Sequence, residues 1–160
     1  MGLIDFVKTA GRKLFGKDDE PEKSTESPAV VAARKEKALV RSVRDLGLEV
    51  EDLSVSLAGD VATVSGKVGS QADREKVVLA VGNTEGIARV DDRLEVEAPE
   101  PEATFYTVVR GDTLSKIAKD HYGNAMKYPV IFEANKPMLT DPDKIYPGQV
   151  LRIPPLPEKS

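Results

Sequence analysis

Hydrophobic residues recur along this chain in two periods, and each change of period marks an element. Leu3, Phe6, Val7, Ala10 and Leu14 fall at helical spacing, so residues 3–15 read as a short amphipathic helix. Gly11 either caps it after Ala10 or is tolerated within it, since glycine disfavours helix interiors but suits C-terminal caps. Residues 16–28 are almost wholly polar with two prolines and read as a flexible linker, giving an N-terminal segment of residues 1–28.

A helical stretch runs from 29 to about 46, with Ala32, Leu39, Val43 and Leu46 on one side and Gly47 as its stop. The period then drops to two. Leu53, Val55 and Leu57 alternate with Ser54 and Ser56, Gly59-Asp60 makes a turn, and Ala62, Val64 and Val68 share one face of the return strand. Ser70 and Asp73 resemble a capping box that opens a helix to Val81, where Gly82 stops it before a strand through Val90, Leu94 and Val96. Residues 29–97 thus form an αββαβ module.

Residues 98–104 are acidic and proline-containing, a stiff joint. Beyond it, Phe105 to Val109 reads as a strand, and a helix begins at Thr113 with Leu114, Ile117 and Ala118 inward. Pro129 sits in the first turn of a further helix toward Asn135, and Pro147-Gly148 leads into a strand from Val150. Residues 105–155 form a βααβ module, and the fold class is α+β.

The chain has 160 residues, enough for two modest cores. With 23 Lys and Arg against 27 Asp and Glu it lacks the basic surface that polyanions require, which argues against nucleic acid as a partner. It has no cysteine, which excludes disulfides, thiolate metal sites and a thiol nucleophile. Asp5 stands where a secretory signal would carry positive charge and Phe6 where a myristoylation signal needs Ser or Thr, so a cytoplasmic chain without stable membrane insertion is expected. His121, the single histidine, gives no catalytic constellation, and Asp18-Asp19 and Asp91-Asp92 read as solvated acids. An enzyme is not expected.

The C-terminal module resembles a LysM domain, through Tyr106-Thr107-Val108, Gly111-Asp112-Thr113-Leu114, Ile117-Ala118, Asn135, Ile145 and Pro147-Gly148-Gln149-Val150-Leu151. The central module resembles a BON domain, through Val61 to Gly66 and Gly86-Ile87-Ala88-Arg89-Val90-Asp91-Asp92. Together with Phe6-Val7-Lys8, Ala10-Gly11, Ala80-Val81-Gly82-Asn83 and the stretch from Phe132 to Leu139, the chain resembles the BON/LysM cytoplasmic potassium-binding protein family.

That resemblance implies a K+ ion enclosed by main-chain carbonyls of Val7, Ala10, Gly82, Thr84 and Ile87, with a sixth ligand unassigned. It also implies a monomeric sensor that compacts on binding. The chemistry suits the residues. Neutral carbonyl oxygens replace the hydration shell of a large monovalent ion, and helix C-termini supply carbonyls without intrahelical partners. Residues 29–104 hold 10 Lys and Arg against 15 Asp and Glu, a difference of −5 that weakly favours cations. Thr84 stands where the family leads one to expect an aliphatic residue, but a carbonyl ligand is nearly indifferent to its own side chain.

The alternative is an envelope-associated protein binding peptidoglycan or N-acetylglucosamine polymers through Gly111, Asp112, Thr113 and Asn135. Taken by themselves, Gly82 and Gly86 are ordinary cap and turn glycines, and Gly111-Asp112-Thr113 is a strand exit with a helix N-cap. The LysM module offers a surface for a glycan or a protein partner.

Overall fold

The computed structural model describes residues 2–11, 28–98 and 103–155. In the central module, α1 (Pro28–Asp45) precedes the hairpin β2 (Glu51–Ala58) and β3 (Val61–Ser70), and α2 (Gln71–Gly82) crosses over to β4 (Arg89–Ala98). β2 and β3 pair antiparallel from Ser54↔Ser65 to Ala58↔Val61, whereas β3 and β4 run parallel in the register Ala62↔Val90 and Val64↔Asp92. Parallel neighbours need a crossover, and α2 supplies it. The C-terminal module comprises β5 (Thr104–Thr107), α3 (Leu114–Tyr122), a 3-10 turn at Ala125–Lys127, α4 (Tyr128–Ala134) and β6 (Val150–Ile153), with β5 and β6 antiparallel. Both module orders and the α+β class are those the hydrophobic pattern predicts.

The helix ends follow their sequence signals. Ser70 accepts from the Asp73 amide at 3.1 Å and Thr113 accepts from the Lys116 amide at 3.1 Å, each satisfying a donor that α2 or α3 leaves open in its first turn.

The N-terminal segment departs from expectation. Gly2–Asp5 is not helical but forms a strand, β1, antiparallel to β4 in the register Gly2↔Asp92 to Asp5↔Arg89, so the sheet order is β1-β4-β3-β2. The residues after it turn, with Ala10 donating to the Val7 carbonyl at 3.0 Å. An isolated helix of this length is marginal in water, while a strand satisfies the otherwise open edge of β4. Burial obeys a period of two: Ile4 is half-buried and Phe6 buried, while Leu3 is 60% and Val7 39% exposed. The expected linker at 16–27 and the middle of the joint, residues 99–102, lie outside the described residues.

Asp92 is a second correction. It is buried, not solvated, accepting from Arg74 Nε at 2.8 Å and from the Leu94 amide at 3.0 Å. A buried carboxylate is tolerated only with such partners. Asp91 faces Arg93 at the surface, 3.1 Å away.

The modules are packed against each other. The central core, built on Leu39, Val43, Val64, Val77, Val81, Ile87 and Val90, also takes in Phe6 from the N-terminal segment and Val150 from β6. The second core is formed by Val108, Leu114, Ile117, Ala118, Ile131, Leu139, Leu151 and Ile153.

Candidate metal centre

Three chain bends meet where α2 ends. The first is residues 6–11, the second is residues 82–88 between α2 and β4, and the third is the Pro147-Gly148 turn before β6. The first two are stitched by main-chain bonds: Phe6 donates to the Ala88 carbonyl at 2.9 Å and Gly86 donates to the Lys8 carbonyl at 2.7 Å. Lys8 Nζ lies 3.4 Å from the Asp60 carboxylate, and the Asp60 carbonyl accepts from Ala88, which ties both bends to the β2–β3 turn.

Two glycines permit the approach. Gly11 has φ +106°, and a Cβ on it would lie 2.5 Å from the Asn83 carbonyl oxygen. The tip of the Phe6 ring lies against Gly82 and occupies the space a Cβ would need. On the other side of the first bend, a Cβ on Gly148 would be 2.7 Å from the Ala10 Cβ and 3.2 Å from the Val7 Cβ. The C-terminal module therefore touches Val7 and Ala10 through Gly148.

This arrangement brings the five sequence-predicted residues, Val7, Ala10, Gly82, Thr84 and Ile87, onto two bends in direct contact. Gly82 is the last residue of α2, so its carbonyl is among the four at the helix end that have no intrahelical partner, and the Gly86 amide is bonded to Lys8. The Val7 and Thr84 carbonyls each accept one amide, from Ala10 at 3.0 Å and Ile87 at 3.1 Å, which leaves a second lone pair on each. The C-terminal end of α2 also brings its partial negative charge to this junction. Among the described residues no trio of Asp, Glu or His is placed to hold a metal ion. The donor chemistry on these two bends is thus neutral main-chain oxygen at a weakly negative helix end, which fits a large monovalent cation.

Thr84 is buried, and its hydroxyl donates to the Ala80 carbonyl at 3.2 Å. Its side chain is satisfied within the last turn of α2, so the polar residue at this position costs no orphaned group.

Sequence reasoning missed the residues that seat the C-terminal module here. Asn83 Nδ2 donates to the Val150 carbonyl at 2.8 Å and its Oδ1 accepts from the Val150 amide at 2.9 Å. Glu75, on α2, pairs with Arg152 on β6 at 2.8 Å and also accepts from Gln71 Nε2 and the Ala103 amide. A cavity of about 100 Å³ lies beside Asn83, lined in part by Leu79, Met138, Tyr146 and Gln149. In the sequence Glu75 is one more charge on a helix, and only the packed structure makes it a bridge.

The residues of the glycan alternative are dispersed in kind. Gly111 and Thr113 are exposed at the start of α3, and Asp112 is half-buried, accepting from Tyr106 Oη at 2.6 Å and the Val109 amide at 2.9 Å. The Asp112 carboxylate holds the Tyr106 hydroxyl, whose pKa is pushed up to about 12 chiefly by that hydrogen bond, with burial second. At Asp112 burial acts to raise the pKa, but the Tyr106 hydroxyl, the Val109 amide and the Lys116 charge prevail and lower it. Asn135 is 1% exposed: it donates to the Ile131 and Arg152 carbonyls at 2.7 and 3.0 Å and accepts from the Arg152 amide at 2.9 Å. Its amide is spent inside the module.

The BON domain family model matches residues 29–98, and the LysM domain family model matches residues 106–154. Potassium binding protein Kbp of Escherichia coli O6:H1 is 46% identical over 162 aligned residues that cover 96% of this chain and 99% of that protein. The chain belongs to the BON/LysM potassium-binding protein family. An uncharacterized protein of Deinococcus radiodurans is 33% identical over 74% of this chain and 51% of its own length. An esterase of Mycobacterium tuberculosis is 51% identical over 53 residues, but these are 11% of that protein, so the similarity is confined to a stretch the size of one module. For a BON/LysM potassium-binding protein, the three-bend junction is the place where the two modules and the N-terminal segment come together.

Proposed function

We propose that this protein binds K+ through main-chain carbonyls of Val7, Ala10, Gly82, Thr84 and Ile87, and acts as a cytoplasmic, monomeric potassium sensor without enzymatic activity. The observation that carries the reading is the direct stitching of residues 6–11 to residues 82–88, with the Gly86 amide bonded to Lys8. The full-length similarity to a potassium binding protein supports it. When bound, the ion offsets the partial negative charge of the carbonyl oxygens that the α2 terminus gathers, and so favours the arrangement that brings the N-terminal bend onto the central module.

No described helix is long and apolar enough to cross a membrane. The glycan reading is less well supported, because Asn135 is enclosed and Asp112 is committed to Tyr106 and Val109. Calorimetric titration of ion-free protein with KCl, NaCl and MgCl2 tests the proposal: saturable heat is expected with KCl alone. Equal responses to KCl and NaCl, or a response to MgCl2 only, contradict it.

A further inference from the structure

β6 is short, and its edge away from β5 is closed by two asparagine side chains instead of a neighbouring strand. Along a strand, residues i and i+2 present their main-chain groups to the same edge. At Arg152 both groups are taken by Asn135, which belongs to the same module. At Val150 both are taken by Asn83, which belongs to the other module. Asn83 itself lies between Gly82 and Thr84, two of the proposed ligands, with its own carbonyl held against Gly11. A cation held by the carbonyls on either side fixes the main chain that aims the Asn83 amide.

We infer that Asn83 is the positioning residue through which ion occupancy of the 82–87 bend controls the seating of β6 and its module. The inference rests on the potassium reading above and adds a named mechanical link to it. Glu75 and Arg152 hold the same two modules but stand on α2 and β6 away from the bend, so they set how tightly the modules seat whatever the ion does. Asn83 sets how much the ion matters. Coupling between two equilibria is reciprocal, so whatever factor K+ contributes to seating, seating returns to K+ affinity.

Because the chain has no cysteine, Lys37→Cys and Lys119→Cys place a unique pair of spin labels on exposed positions of α1 and α3. Inter-module distances are then measured with and without K+ in the full chain, in parallel with calorimetry. In the parent, K+ is expected to raise the seated-to-open ratio by at least about fivefold, the lower range of such couplings. Asn83→Ala is expected to bring that ratio of ratios close to one and to weaken K+ affinity by up to the same factor, reached when the ion-free parent is mostly seated. Glu75→Gln is expected to lower the seated fraction with and without K+ while leaving the coupling factor unchanged, a pattern that a merely structural role for Asn83 would share. An Asn83→Ala protein whose distances respond to K+ as the parent's do, or whose effects match those of Glu75→Gln, overturns the inference and leaves the potassium reading standing. A parent that binds no K+ overturns both.

Discussion

Arg152 of β6 reaches Glu75 of α2 with two nitrogens, Nε at 2.9 Å and Nη2 at 2.8 Å, and both side chains are more than nine-tenths buried. Buried pairs of this kind are held in place by further hydrogen bonds, here from Gln71 Nε2 and the Ala103 amide to Glu75 and from Arg152 Nη1 to the Ala134 carbonyl. Removing one partner leaves an uncompensated charge. Arg152→Ala is expected to destabilise the protein by about 3–5 kcal/mol in urea unfolding, and Glu75→Gln combined with Arg152→Met by much less than that. Equal losses for the single and double replacements would show that the pair contributes little beyond packing.

Gly11→Ala is expected to be costly out of proportion to one methyl. The φ of +106° is unfavourable for any L side chain, and the added carbon meets the Asn83 carbonyl oxygen. Overpacking of this degree costs about 1–3 kcal/mol. Because the clash falls on a bend proposed to hold the ion, K+ affinity is expected to drop along with the melting temperature, as read by calorimetry and thermal denaturation. Unchanged affinity would show that the bend tolerates displacement.

Thr84→Val separates main-chain from side-chain contributions. The substitution removes the hydrogen bond to Ala80 while keeping a buried, similarly shaped side chain, so stability is expected to fall by about 0.5–1.5 kcal/mol. K+ affinity is expected to stay within about twofold, since the carbonyl is retained. A tenfold loss, about 1.4 kcal/mol, would mean that the hydroxyl takes part in holding the ion.

Tyr106 gives a pH signature in the C-terminal module. Its pKa lies above the ordinary 10.0, at about 12, chiefly because its hydroxyl donates to Asp112. A group whose folded pKa is raised stabilises fully below its unfolded value, and that contribution is lost as pH rises through the folded one. The window is therefore pH 10 to about 12. Burial raises the Tyr122 pKa as well, so ultraviolet titration is expected to show late phenolate absorbance that Tyr106→Phe reduces; an unchanged late titration in the variant would contradict the assignment to Tyr106.

Much of this architecture was legible because helices and strands differ in hydrophobic period. The alternation through Leu53, Val55 and Leu57, and the caps at Ser70 and Thr113, each correspond to observed elements. The N-terminal segment misled for a physical reason: Leu3, Phe6, Val7 and Ala10 suit a helical stripe, while Ile4 and Phe6 equally suit a period of two. Only the open edge of β4, a tertiary feature, decides between them. The junction was legible in part. Glycines at 11, 82 and 86 signalled bends, but that the bends touch depends on β1 pairing with β4. Asn83, Glu75 and Arg152 carry no local signal, since their partners stand 67 and 77 residues away.

The central claim is that one monovalent ion sits between residues 7–10 and residues 82–87, held by main-chain oxygens. Thallium(I) mimics potassium and scatters anomalously, so an anomalous difference map from crystals grown with a thallium(I) salt tests the claim directly. A single strong peak within coordinating reach of the Val7, Ala10, Gly82, Thr84 and Ile87 carbonyls is the expected result. A peak elsewhere on the protein, or none at that junction in crystals that bind the ion in solution, would contradict it.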